Sequence, residues 1–127
     1  MDLGKQNILF FTRTMMLGGT ENVVLQLCEV FKPKVNKIVV CSCGGVNVEK
    51  LTEMGIKHYQ IPDISSKKDI FKICRTVKKI VEKEQITVIH SHHRMAAFYT
   101  EILFGSSIIK IANAHNTFFD KKLLTRF

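Results

Sequence analysis

Three short stretches of this chain hold residue types able to do chemistry near neutral pH. Gly18-Gly19-Thr20-Glu21 comes after the apolar run Ile8-Leu9-Phe10-Phe11. Ser91-His92-His93 comes straight after Val88-Ile89-His90, and Ala114-His115-Asn116 leaves a β-rich run that starts near Ile108. Paired glycines let a backbone approach a ligand closely, and a helix N-terminus attracts phosphate. The plainer reading of the same glycines is a flexible turn capped by Thr20. An imidazole can give or take a proton near neutral pH. His115, among small or polar neighbours, could orient a substrate hydroxyl, or it could be a polar loop residue with a packing role. His92 and His93 face the same choice between a cleft and a structural bond to backbone. Alternation turns His90 partly inward.

The missing motifs narrow the chemistry. No G-x-G-x-x-G follows the first apolar run, and the second ends in Cys41-Ser42-Cys43 rather than an acid, so a dinucleotide site is disfavoured. There is no Walker glycine-lysine loop, no aspartate cluster at the first strand end and no G-x-S-x-G elbow. Cys41 and Cys43 have no second pair or nearby histidine to complete a tetrahedral set, so no metal site is expected. Cys28 and Cys74 fall on apolar helix faces and read as small hydrophobes, and no disulfide framework is expected.

The elements that must position these stretches alternate in type. Strands are expected at residues 7–12, 37–42, 57–61, 87–90 and 108–113. Helices are expected at 20–32, from a cap at Asn47 to about Met54, from a Ser66-Lys67-Lys68-Asp69 capping box to about Glu84, and at 95–104. Pro33 stops the first helix, Gly55 the second, and Gly105 suits the end of the fourth. The helix behind the capping box buries Ile70, Ile73, Cys74, Val77, Ile80 and Val81. The helix at 95–104 is apolar almost all round and should be deeply packed. Residues 120–127 look like the start of another helix. Such alternation implies right-handed βαβ crossovers and a Rossmann-like α/β fold: an open parallel sheet of about five strands with helices on both faces. Ligands of such sheets bind beyond the carboxyl ends of the strands, where the three stretches collect.

With 127 residues the chain suits one domain. No apolar run approaches the ~18–20 residues needed to span a bilayer, and the N-terminus lacks a secretory layout, so a cytoplasmic location is expected. The net charge of +8 points to an anionic partner, whether nucleic acid, phosphorylated ligand or acidic membrane. No aromatic-interleaved basic motif supports nucleic acid. Half of the surplus lies at residues 67–84, where seven basic residues meet three acids. That helix face is either simply solvated or a contact for an anionic membrane through Lys67, Lys68, Lys72, Arg75 and Lys79.

Three segments in order, ILFFTRTMMLGGTENVVLQL, ITVIHSHHRMAAFYTEIL and IIKIANAHNTF, resemble the N-terminal, acceptor-side domain of family 4 glycosyltransferases, the retaining GT-B enzymes. The resemblance spans nearly the whole chain. It implies transfer of a sugar from a nucleotide-sugar donor to a saccharide or lipid-linked acceptor, with no metal and no other cofactor. By position, Gly18 and Gly19 match the family's glycine loop against the donor diphosphate and acceptor. His115 matches the histidine that contacts the acceptor side of the reaction centre, and His92 the histidine of the family's HSH pattern. Glu21 matches a frequent acid with a local duty, and Arg13 and Asn116 are further lining residues. The family's second, donor-binding domain is absent from these 127 residues. The expectation is therefore a single GT-B N-terminal domain over residues 1–127, truncated at its C-terminal end, inactive alone and completed by that domain or a split partner. The other reading kept open is a non-catalytic Rossmann-like binding module.

Overall fold

The computed structural model describes residues 2–112. Its strands are β1 (Asn7–Phe11), β2 (Lys37–Ser42), β3 (Lys57–Gln60), β4 (Val88–Ser91) and β5 (Ile109–Ala112). The helices are α1 (Gly19–Phe31), α2 (Val48–Glu53), α3 (Ile70–Lys83) and α4 (Arg94–Leu103). All strand pairs are parallel, in the order β3-β2-β1-β4-β5. The Rossmann-like sheet of five strands is therefore present. After building outward from β1 to β3, the chain returns to lay β4 against the other side of β1. That reversal leaves a crevice between the β1 and β4 exits.

Every residue of β1 is buried, as a central strand covered on both faces must be. Alternation splits its side chains. Leu9 and Phe11 join Val39, Ile73, Val77 and Ile89 in the core under α3 and α4. Ile8 and Phe10 join Val24, Cys28, Val40 and Leu51 in the core under α1 and α2. Each such side chain contributes roughly 1.5–3 kcal/mol by leaving water, which is why one β1 residue misplaced by a register slip would be costly. Burial also pushes the Cys28 thiol up to about 12, and the Cys41 thiol higher still.

The amino ends of the strands are tied by polar groups. Glu84, buried at the end of α3, accepts from Lys37 and Lys57 at 3.2 Å each and from the Tyr59 hydroxyl. The Tyr59 bond, then the two ammonium groups, hold the carboxyl down at about 2 against its burial. Asn7 donates to the Gln85 carbonyl at 2.8 Å and so fixes the entry to β4.

Four local expectations are corrected. Ser66 does not cap α3: its hydroxyl donates to the Asp69 carboxylate at 3.1 Å, a single 3-10 turn (Lys67–Asp69) intervenes, and the α-helix begins at Ile70. Asn47 precedes α2 without capping it, because its amide donates to the Met16 carbonyl at 3.0 Å. The fourth helix is not packed all round: Ala96, Ala97, Tyr99 and Thr100 are buried, whereas Phe98 and Ile102 face outward. Ile70, expected in the buried stripe of α3, is also exposed. No described helix is long and apolar enough to cross a membrane.

Candidate active-site rim

Beyond Phe11 the chain leaves the sheet through Thr12, whose N–H donates to the Cys41 carbonyl. The exits of β1 and β2 are then laced together. Cys43 N–H donates to the Arg13 carbonyl (2.9 Å), Met15 N–H to Gly44 (3.0 Å), and Asn47 N–H to Met15 (2.7 Å). Gly45 makes this close approach feasible. Its φ is +148°, and a Cβ there would stand 2.4 Å from the Met16 nitrogen. The lacing holds the start of the loop firmly, while Met16 and Leu17 at its tip are exposed.

Gly18 and Gly19 follow that tip at the start of α1, with Gly18 in the N-cap position and extended. The Glu21 carboxylate folds back over the turn and accepts from the Thr14 hydroxyl at 2.5 Å. It would lie 2.7 Å from a Cβ at Gly18. The local duty expected of Glu21 is thus to hold the glycine turn. A Cβ at Gly19 would meet nothing within 4 Å, so the turn presents bare backbone there. Thr20 lies within the first turn of α1 and does not cap it.

The β4 exit lies beside the β1 exit, because Phe11 pairs with Ser91. His92 N–H donates to the Phe11 carbonyl at 2.9 Å. The His92 ring is 2% exposed, packed 4.2 Å from His90 and 5.7 Å from Phe10 by ring centroids. It forms the floor beneath the rim. His90 beside it is pushed down to about 4 by burial, so it is neutral at physiological pH. His93 closes the gap to α4. Its Nδ1 accepts from Met95 N–H at 3.1 Å and caps the helix. Burial, then the charges of Arg13 and Arg94, lower its proton affinity, with Asp63 opposing.

Arg13 extends from the β1 exit toward the exit of β3. Its Nε and Nη2 donate to the two carboxylate oxygens of Asp63, each at 2.9 Å. Ser65 N–H donates to the same carboxylate. The guanidinium first, then that N–H, bring Asp63 down to about 2. Cys43 lies close enough to be affected: burial, then Asp63, push its thiol up. Asp63 and Arg94 thus join the sequence-derived residues, and His93 serves as the cap of α4. Asp63 follows Pro62 just after the third strand, and no spacing signal in the sequence links it to a residue fifty positions earlier. His115 and Asn116 lie outside the described residues. Gly18, Gly19, Arg13 and His92 all belong to the same carboxyl-end rim.

No family model matches the chain, and no curated protein does. Solved structures do share its architecture. A glycosyltransferase from Rickettsia africae ESF-5 superposes with a TM-score of 0.65 at 13% identity, covering 84% of this chain and 29% of that one. MurG from Acinetobacter baumannii gives 0.66 at 12% identity, covering 87% and 35%. Anabaena Alr3699/HepE, solved in complex with UDP, gives 0.60 at 12% identity, covering 84% and 29%. The fold is that of a GT-B N-terminal domain. Identities this low establish the fold alone, and formyltetrahydrofolate deformylase from Burkholderia mallei shares the sheet more loosely, with a TM-score of 0.56 at 8% identity. The chain spans about a third of the length of the glycosyltransferases it matches.

Proposed function

We propose that this chain is the acceptor-side domain of a retaining, family 4 glycosyltransferase, moving a sugar from a nucleotide donor to an acceptor hydroxyl in glycan or lipid-linked saccharide synthesis. One observation carries the reading. The β1 exit, from which the chain runs to the double-glycine turn, and the β4 exit are neighbours at the point where the strand order reverses, on a sheet whose architecture recurs in three solved glycosyltransferases. Bare backbone at Gly19, at the start of a helix of three and a half turns, suits a diphosphate. Arg13, oriented by Asp63, adds guanidinium N–H donors to the same rim. Catalysis of this kind rests on positioning and on stabilising the charge of a leaving diphosphate.

In this reading His115 holds the acceptor, Asn116 and His92 support the cleft, and the departing phosphate helps to deprotonate the acceptor hydroxyl. No metal or other cofactor takes part. A donor-binding domain completes the reaction, and the 127 residues alone turn over little. The chain works in the cytoplasm against the inner face of the membrane, with the lysine-rich face of α3 toward it. Amide NMR on the full chain tests the acceptor side. Titrating phosphorylated or lipid-free saccharide acceptors should shift resonances of Gly18, Gly19 and residues around His92. Shifts confined to the Glu84 end of the sheet, or none at millimolar ligand, would remove the reading. In the enzyme joined to a donor-binding domain, His115→Ala should lower turnover by about 10² or more; near-normal rates would exclude that role for His115.

A further inference from the structure

The exits of β2 and β3 carry a hydrogen-bonded pair that the rim described above does not use. The Ser42 hydroxyl, at the last residue of β2, lies 2.6 Å from Nε2 of His58 on β3. Ser42 is fully buried, whereas His58, on an edge strand, is half-buried. The same hydroxyl oxygen accepts from Gly44 N–H at 3.0 Å. Gly44 turns the chain at φ +101°, and its carbonyl accepts from Met15 N–H. The Met15 carbonyl in turn accepts from Asn47 N–H, and the Asn47 amide donates to the Met16 carbonyl. An unbroken run of bonds thus joins the His58 ring to the loop that leads into Gly18-Gly19.

Proton counting fixes the state of the ring. Gly44 N–H already points at the Ser42 oxygen, and among the described residues the hydroxyl hydrogen has no acceptor other than His58. All three groups are satisfied only when Ser42 donates to an unprotonated Nε2, which leaves the ring neutral with its hydrogen on Nδ1. A proton on Nε2 would set two donors against one oxygen and leave a buried hydroxyl hydrogen without an acceptor. We propose that His58 is a positioning residue for the rim: its neutral ring, through Ser42 and Gly44, holds the loop before the double glycine in place, and its protonation lets that loop go. The charges around it are engaged elsewhere. On β3 itself, Lys57 and Tyr59 bond Glu84. On β2, Lys37 bonds Glu84 and the Cys41 thiol is held neutral by burial. On α2, which packs against β3, Glu49, Lys50 and Glu53 are exposed. Lys32 of α1 bonds the Met54 carbonyl, and the Cys43 thiol beside Ser42 is pushed up by burial. Burial lowers the proton affinity of His58. A histidine so lowered supports the fold in full above its ordinary 6.5 and ceases to do so as pH falls through its folded value, so the loop loosens below pH 6.5. His58 bears on sugar transfer only if the rim is the acceptor site, as proposed above, but its hold on the loop needs no such activity.

A pH titration of the full chain by NMR tests this, reading the His58 ring signals together with the backbone amides of Gly44, Met15 and Asn47. His58 should titrate with a midpoint below 6.5, and the three amides should shift with the same midpoint. Their protection from exchange should fall by about tenfold or more below it. His58→Gln is the discriminating variant, since a glutamine carbonyl oxygen can accept from Ser42 but takes no proton. It should keep the loop amides near their neutral-pH positions throughout and abolish their titration. In Ser42→Ala, His58 should still titrate while the loop amides no longer follow it. A part played only in packing would leave the loop amides flat across the His58 titration, and that result would overturn the proposal. So would loop amides that still titrate in His58→Gln, which would hand the effect to His90 or His93, or in Ser42→Ala, which would bypass the hydroxyl. Should saccharide acceptors fail to shift the rim at any pH while the loop still follows His58, the transferase reading falls and the positioning role of His58 stands.

Discussion

At position 45 the backbone holds φ at +148° with the Met16 nitrogen 2.4 Å from where a Cβ would be. A single methyl therefore meets backbone that cannot step aside, in a conformation that L-residues rarely adopt. Gly45→Ala should destabilise the domain by about 1–3 kcal/mol and disturb the Met16–Gly18 loop before the rest of the sheet; denaturant melts and amide shifts of that loop would check it. The Arg13–Asp63 pair is different in kind. Both side chains are more than a third exposed, so Asp63→Asn should change stability by less than about 1 kcal/mol. Its effect is on orientation, since the guanidinium loses the partner that aims it. Carbon-detected titration should find Asp63 ionising near 2, against a usual value of 3.8; an ordinary value would mean that the pair does not persist in solution.

Among the elements, α3 is joined to the sheet from two directions. Its apolar stripe fills the core, and Ile73→Ala, at a fully buried site, should cost about 2–5 kcal/mol in a denaturant melt. Its end is fixed by Glu84, whose carboxyl sits at about 2 in the fold and has a reference value of 4.5. A carboxyl depressed on folding stabilises the fold in full above its unfolded pKa and ceases to do so as pH falls through its folded one. The wild type should therefore lose stability steadily from about pH 4.5 toward pH 2. Glu84→Gln should be weaker at neutral pH by about 1–3 kcal/mol and show a flatter acid limb. Parallel slopes for the two proteins would refute this. The stripe itself was legible from spacing: Ile73, Val77, Ile80 and Val81 repeat with the helical period and are all buried. So were the central strands β1 and β2, whose continuous apolar runs mark a sheet covered on both faces. The outward face of α4 was not legible, because a helix apolar all round carries no periodic contrast to say which side is packed. The caps failed for a related reason. Ser66 and Asn47 have the right chemistry for helix ends, but distant or lateral partners, Asp69 and the Met16 carbonyl, claimed them first. Of the rim, the glycine turn and the histidines stood out by residue type. Asp63 and its bond to Arg13 exist only once β2 has been laid between β1 and β3.

At the scale of the whole molecule, the strand order sets a gradient of protection. β1 is central, buried throughout and paired on both sides, whereas β5 has alternating exposed residues and pairs with β4 on one side. Amide hydrogen exchange should be slowest along β1 and in the β4 amides bonded to it, and several orders of magnitude faster in β5. Equal protection across the sheet would contradict the topology. The crevice at the reversal point is thus built on the most protected strands of the sheet, while the Met16–Leu17 tip of the β1 loop is exposed.

The deeply packed thiols have a practical consequence for work on this chain. A sulfhydryl alkylates only as its thiolate, and burial keeps Cys28 and Cys41 protonated far beyond neutral pH. Cys43 is held partly in the same state. A newly introduced, fully solvated cysteine, such as Phe71→Cys, should consequently outpace Cys28, Cys41 and Cys43 in reaction with a maleimide. Spin or dye labels can then be placed on the outer face of α3 without first stripping those three native sulfurs from the chain.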